Sequence, residues 1–133
     1  MKADRPTEAA LVGMLDSFCS AFQTRDAEAV MRLFAPDPEV AVVTSERSLL
    51  RGPDELQAFL RSYVQGHTTY SWTWDSVEVS AADAVAWLLA EGTETAATQA
   101  GDHEHPYRMT LVCEKRDEHW LLLQVHGSSP HHG

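Results

Sequence analysis

The sequence predicts an α+β domain in which three helices of the N-terminal half pack on one large, curved, antiparallel sheet. Three observations predict it. Up to Val64 the apolar residues recur at steps of three and four, the period of an amphipathic helix. Residues that start and stop helices punctuate that half. Beyond Gly66 the apolar residues alternate or run continuously between short turn signals, as they do in strands. The expected order is α-α-β-α-β-β-β-β.

Each element has a local cause. From Thr7 to Thr24, Leu11, Leu15, Phe18 and Phe22 form one stripe that Met14 and Cys19 widen, and Asp4 ahead of Pro6 caps the first turn. A short second helix starts at the N-cap residue Asp26 and presents Val30, Leu33 and Phe34. Pro36 and Pro38 stop it, because neither can donate the helical hydrogen bond. Val40–Thr44 is a β-branched run and predicts a strand, followed by a polar turn through Ser45, Glu46 and Arg47. Gly52-Pro53-Asp54 opens the third helix, whose face is Leu56, Phe59, Leu60, Tyr63 and Val64 and whose stop is Gly66. Four strand segments follow: Thr69–Val79, Ala84–Thr95, Tyr107–Lys115 and Trp120–Ser128. They are separated by Ser80–Asp83, by a loop over Ala96–Pro106, and by a tight turn at Asp117-Glu118.

Strands joined by short turns pair antiparallel, since a parallel pair requires a long crossover. Three helices cannot cover both faces of so large a sheet, yet the last strand is apolar on both. One face reads Leu121, Leu123, Val125 and the other Trp120, Leu122, Gln124, His126, Ser128. One face is expected to close over the helices and the other to meet a second copy of the chain.

Composition narrows the function. With 133 residues, 44% of them apolar, the chain fits one domain that buries a core without staples. Ten Lys and Arg stand against 20 Asp and Glu, a net charge of −10, with the basic residues scattered singly. That field repels phosphate backbones and anionic membranes, so neither nucleic acid nor a membrane is an expected partner. No apolar run reaches a membrane span of ~18–20 residues, and Met1–Pro6 lacks the apolar stretch of a signal peptide. Cys19 and Cys113 stand far apart and are expected as buried free thiols, which points to the cytoplasm.

The element order, together with several stretches, resembles the SnoaL-like branch of the nuclear-transport-factor-two-like superfamily. The stretches are Arg51-Gly52-Pro53-Asp54-Glu55-Leu56, Ala86-Trp87, Arg108-Met109-Thr110-Leu111-Val112, Trp120, and Val125-His126-Gly127-Ser128-Ser129-Pro130. The resemblance spans nearly the whole chain. It implies residues 1–6 as an extension, 7–130 as the domain and 131–133 as a short tail. It also implies a cone, in which a strongly bent sheet wraps the helices and leaves an apolar pocket at its wide end. That superfamily includes ketosteroid isomerases, scytalone dehydratase and the association domain of calcium/calmodulin-dependent kinase II. Steroid isomerases of this fold carry a base aspartate near the end of the first strand; here Val40–Ser45 holds no carboxylate before Glu46. SnoaL-type cyclases use an aspartate on a late strand, where this chain offers Gln124 and His126. The resemblance therefore implies the fold without handing over either mechanism.

Candidate chemistry follows from residue types. His126, near a strand end, suits proton transfer, or is a histidine held by backbone or Ser128. Glu91 shares a strand face with Trp87, and is either an acid or base set against aromatic rings or half of an ion pair with Arg108. Trp72, Trp74 and Trp87, with Tyr63, Tyr70 and Tyr107, either line a cavity for a flat apolar ligand or fill core and interface. Asp102-His103-Glu104-His105 has metal-ligand residue types, joined at most by His131 and His132, but not the spacing of a zinc site, so no metal is expected. No phosphate loop, nucleophile elbow or cofactor motif occurs, so no cofactor is expected. The leading expectation is a pocket protein for an apolar or aromatic metabolite. Two alternatives stand beside it. One is a cofactor-independent isomerase, cyclase or dehydratase on a ring ketone or polyketide-like substrate, with His126 or Glu91 moving the proton. The other is a dimerisation module.

Overall fold

The computed structural model describes residues 1–45 and 48–130. Glu46 and Arg47 of the expected turn, and the tail with His131 and His132, lie outside the described residues.

Helix α1 (Arg5–Gln23) begins where the Asp4 carboxylate accepts a hydrogen bond from the Thr7 amide at 2.9 Å, and it buries Leu11, Met14, Leu15, Phe18, Ala21 and Phe22. Asp26 caps α2 (Ala27–Arg32) in the same way, accepting from the Ala29 amide at 3.0 Å. The corner between them turns on Arg25, which adopts a left-handed φ of 59°. Helix α3 (Gly52–Gln65) opens with the Glu55 carboxylate accepting from the Arg51 amide at 2.9 Å. Gly52 is required there: its φ is +75°, and an added Cβ would stand 3.3 Å from the Pro38 carbonyl oxygen.

The sheet has six strands: β1 (Ala41–Val43), β2 (Leu49–Arg51), β3 (Thr69–Ala82), β4 (Val85–Thr98), β5 (Gly101–Arg116) and β6 (His119–Ser128). Their order across the sheet is β2-β1-β6-β5-β4-β3. Strand β2 is additional to the sequence expectation and pairs antiparallel with β1, while β1 lies parallel to β6. A three-residue strand has no period to read, so only its partner reveals it. At the opposite edge, the Ala3 amide donates to the Val79 carbonyl and the Ala81 amide to the Met1 carbonyl, so the N-terminal residues cover part of β3.

Two departures from the sequence reading shape the cone. The segment Ala96–Pro106, expected as a loop, is strand: β4 and β5 pair out to Thr98 and Gly101 with only Gln99 and Ala100 at the tip. Pro106 is tolerated because β6 ends opposite Arg108, which leaves β5 an edge strand beyond it. Strand β6 carries the second departure. The β5–β6 register pairs Cys113 with Leu122 and Val112 with Gln124, so Leu123 is bulged out. The bulge shifts side-chain parity, and Leu122 and Val125 are both buried. The expected faces of Trp120–Ser128 are thus divided differently, because a straight two-residue period does not survive an extra residue.

A matching bulge lies in β3 between Trp74 and Ser76, opposite Gly92 of β4. A Cβ on Gly92 would stand 1.9 Å from the Thr73 carbonyl oxygen, so only glycine permits this close approach at the bend. Helix α1 crosses the inner face against β3, β4 and β6. The core between them is built from the α1 stripe, Val30, Leu56 and Leu60, and the inward residues Leu88, Leu111 and Leu122.

Candidate functional site

At one end the inner face of the sheet is not filled by helix, and a cleft of about 550 Å³, mouth included, remains. Only about 70 Å³ of it is enclosed cavity, below the ~300–1,000 Å³ of pockets that hold small ligands, so the cleft is narrow and largely open to solvent. Helix α1 contributes Phe18 and Phe22, α3 contributes Phe59, and β1 with the turn after it contributes Val42–Ser45. Tyr70 and Trp72 come from β3, Tyr107 and Met109 from β5, Val125 and Gly127 from β6. Gly127 leaves room for Tyr107: an added Cβ would lie 1.9 Å from the tyrosine hydroxyl. The Trp72 ring is central, 5.8 Å from Phe22 edge-on, 6.2 Å from Tyr107 and 6.4 Å from Phe18.

Into this apolar wall projects Glu94. It is 4% exposed and is the only buried polar or charged residue among the described residues. Its inward aim is a consequence of the strand period, since Ala86, Leu88 and Ala90 of the same parity are fully buried. The register sets Trp72, Glu94 and His105 side by side on three neighbouring strands. Trp72 Nε1 donates to Glu94 Oε2 at 2.9 Å, and His105 Nε2 lies 2.8 Å from Glu94 Oε1. The His105 side chain is 36% exposed against 5% for Glu94. The pair therefore joins the cleft to solvent.

The sequence candidates are distributed between the two faces. Trp72 and Tyr107 line the cleft. Tyr63 is behind it: its hydroxyl donates to the Phe22 carbonyl and accepts from the Tyr70 amide, each at 2.9 Å, and its ring stacks on Tyr70. Burial pushes its phenol above the ordinary value, and the Glu94 charge pushes the same way, against the Tyr70 hydrogen bond and Arg25. Trp74 packs against the core and hydrogen-bonds the Cys19 thiol, whose pKa burial raises to about 12. Burial alone does the same to Cys113. Glu91, Arg108, Trp87 and His126 have the opposite parity and stand on the outer face. There Arg108 Nε meets Glu91 Oε2 at 3.1 Å, both half exposed, an ion pair worth ~0–1 kcal/mol. His126 pairs with Thr110, two residues from Arg108 on the same outer face.

Sequence reasoning passed over Glu94 and His105 as a pair. The expected strand ended at Thr95 and His105 fell in the expected loop, so nothing set them opposite one another. The available signal was the run Ala86-Leu88-Ala90-Gly92-Glu94, an inward face that ends on a charge. No group of three or more His, Cys, Asp or Glu converges as a metal site among the described residues.

An α+β cone with an aromatic cleft and one buried carboxylate defines a class of small pocket-bearing proteins. Within it, the chain belongs to the SnoaL-like domain family, whose model matches residues 12–132. No curated protein matches it. Among solved structures, a proposed dehydratase of the NTF2-like family from Streptomyces avermitilis superposes with a TM-score of 0.87 at 14% identity, over 97% of this chain and 100% of that one. A nuclear transport factor 2-like superfamily protein of Salmonella enterica gives 0.85 at 15% identity, over 98% and 95%. A proposed calcium/calmodulin-dependent protein kinase II association domain from Xanthomonas campestris gives 0.77 at 21% identity, over 97% and 94%. At these identities the likeness establishes the fold alone.

Proposed function

We propose that the protein binds a small, largely apolar, ring-containing metabolite in the cleft, with its polar end against Glu94. One observation carries this reading: Glu94, the one buried carboxylate among the described residues, set in a largely aromatic and aliphatic wall. Such walls supply affinity through buried apolar area, and one placed polar group supplies orientation. The test is a thermal-shift screen of ring-containing compounds against the wild type and Thr44→Trp, which places an indole at the mouth. Hits should raise the wild-type melting temperature in a saturable way and lose that effect in the variant. Hits that stabilise both proteins equally refute the cleft as their site.

A second reading is general acid/base chemistry on a ring ketone, and the Glu94–His105 contact favours it. Glu94 would take or give the proton, and His105 would carry it to solvent. His126 and Glu91 enter as comparison residues, since they stand on the outer face. Deuterium exchange at the α-carbon of a ring-ketone probe, followed by NMR, should be lost in Glu94→Gln and retained in His126→Ala and Glu91→Gln. Loss in His126→Ala alone would return the proton to that residue.

The outer face supports self-association as a homodimer. Trp87 is half-buried there, and Leu89 is 40% exposed. The likeness to a proposed association domain agrees with that reading. No helix among the described residues is long and apolar enough to cross a membrane. The free thiols Cys19 and Cys113 fit a reducing compartment such as the cytoplasm.

A further inference from the structure

We infer that Tyr63, which stands behind the cleft, is a positioning residue: its hydroxyl fixes the spacing of the α1 and β3 walls, and through it how tightly the cleft holds a ring. This rests on the binding reading above and concerns that same cleft.

The hydroxyl joins the two walls at their backbones. It donates to the Phe22 carbonyl and accepts from the Tyr70 amide, each at 2.9 Å. Phe22 and Tyr70 both line the cleft, one from α1 and the other from β3. With one oxygen bonded to both, the carbonyl and the amide cannot stand further apart than twice that distance. Each of the two groups is one that regular structure leaves over. Phe22 is one residue from the end of α1, where a carbonyl has no helical amide four residues on; it takes the Arg25 amide at 3.1 Å and has a lone pair left for Tyr63. Tyr70 lies on β3, the outermost strand, whose outward amides have no neighbouring strand to bond. A phenol answers both, because it donates and accepts at a single atom. Burial raises the pKa of this phenol and so keeps the proton that makes the Phe22 bond.

The ring that carries the hydroxyl is itself held. It lies 5.3 Å from Phe22, stacks on Tyr70 at 5.8 Å, and has the Arg25 guanidinium 5.0 Å from its centroid. The same guanidinium bonds the carbonyls of Tyr63 and Val64, so the end of α3 is anchored where the bridge begins. Only about 70 Å³ of the cleft is enclosed, so a small change in wall spacing is a large part of the room a ring has. A gap of about 0.5–1 Å between packed atoms already forfeits a quarter to a half of their dispersion attraction. Tyr63→Phe keeps the stacked ring and removes both hydrogen bonds.

Fluorine NMR and calorimetry on the full chain test the proposal. The chain has three tyrosines, so labelling with 3-fluorotyrosine gives three resonances, assigned through Tyr63→Phe, Tyr70→Phe and Tyr107→Phe. In Tyr63→Phe the Tyr70 resonance is expected to shift or broaden while that of Tyr107, on β5, stays. The affinity for 2-naphthol, measured where both proteins are folded, should fall about three- to tenfold in Tyr63→Phe. A variant that melts lower yet keeps the Tyr70 resonance and the wild-type affinity overturns the proposal, since the role of Tyr63 would then be structural only. Equal movement of Tyr70 and Tyr107 overturns it as general loosening, and a displaced Tyr70 with unchanged affinity overturns it as well. If Tyr63→Phe does not fold, hydrogen exchange of the wild type decides. The Tyr70 amide should be protected although it lies on an edge strand, and rapid exchange there overturns the bridge. If 2-naphthol does not bind the wild type at millimolar concentration, the binding reading and the effect on affinity fall together. The Tyr70 resonance then decides the wall spacing by itself.

Discussion

Arg25 is a single side chain that ties three elements together, and its removal has a calculable cost. Its guanidinium donates to the carbonyls of Tyr63, Val64 and Gly66, at 2.7, 2.8 and 2.6 Å, and so satisfies the last turn of α3. It also donates to the Thr68 carbonyl at 2.8 Å and to Thr69 Oγ1 at 2.9 Å, where β3 begins, and stands 5.0 Å over the Tyr63 ring. Hydrogen bonds to a charged group contribute ~1.5–3 kcal/mol each when buried. Here the contacts are half-exposed and water takes over part of them, so about 3–4 kcal/mol for the whole set is the expected loss in Arg25→Ala. Divided by the unfolding entropy of a chain this long, that is a fall of about 10–15 °C in melting temperature. The left-handed φ of 59° provides an internal control. Arginine and alanine suffer equally there and glycine does not, so Arg25→Gly should be about 0.5–1 kcal/mol less damaging than Arg25→Ala. Arg25→Lys should recover only a part, because an ammonium cannot span five acceptors. Circular-dichroism melts and urea titrations of the three variants measure this. An Arg25→Ala protein that melts within about 2 °C of wild type would refute the reasoning.

Three other predictions test separate features. Gly92→Ala must push the Thr73 carbonyl away from a 1.9 Å overlap, so it should cost about 3 kcal/mol or more and reduce soluble yield; a normal melt would show that the bend does not depend on close strand approach. With both thiols raised to about 12 by burial, the native protein near pH 8 should leave Cys19 and Cys113 unlabelled by a thiol reagent, and both should react once unfolded. Rapid labelling of the native chain would contradict that. The third concerns Asp37, which accepts from Arg116 at 2.6 and 2.8 Å and whose carboxyl that contact holds below the usual range. A depressed carboxylate contributes stability above its unfolded pKa and loses it as pH falls through its folded one. The melting difference between wild type and Asp37→Asn should therefore be full near neutrality and close progressively below about pH 4. A difference that widens on acidification would reverse the sign.

The outline of the fold was readable because its causes are local. Asp4 and Asp26 cap the helices they precede, Pro36 and Pro38 end the second, and Gly52 and Gly66 bound the third, each through groups a few residues apart. Trp72 and Tyr107 could be nominated for the cleft from residue type alone, since large rings with a polar edge suit such walls. Glu94 could not, because the strand containing it was read as ending one residue later. Its neighbours Thr95–Thr98 have no apolar alternation, and what keeps them extended is the partner arm of β5.

The sequence by itself determined the class of fold, the three helices, the tight turn at Asp117-Glu118 and a net charge of −10, while the separator expected over Ser80–Asp83 is strand up to Ala82 and turns at Asp83-Ala84. What it determined follows from interactions within a turn or two of chain, or from simple sums of charge. Only the tertiary structure decided which side chains meet across strands. The bulge at Leu123 resets the faces of β6, the parallel contact between β1 and β6 joins segments about 80 residues apart, and the β4–β5 register places His105 opposite Glu94. A strand carries its period in its own residues but takes its register from its neighbour. One inserted residue reverses every face beyond it. The candidate site consists of just such cross-strand meetings, which is why it emerged only when the sheet was assembled.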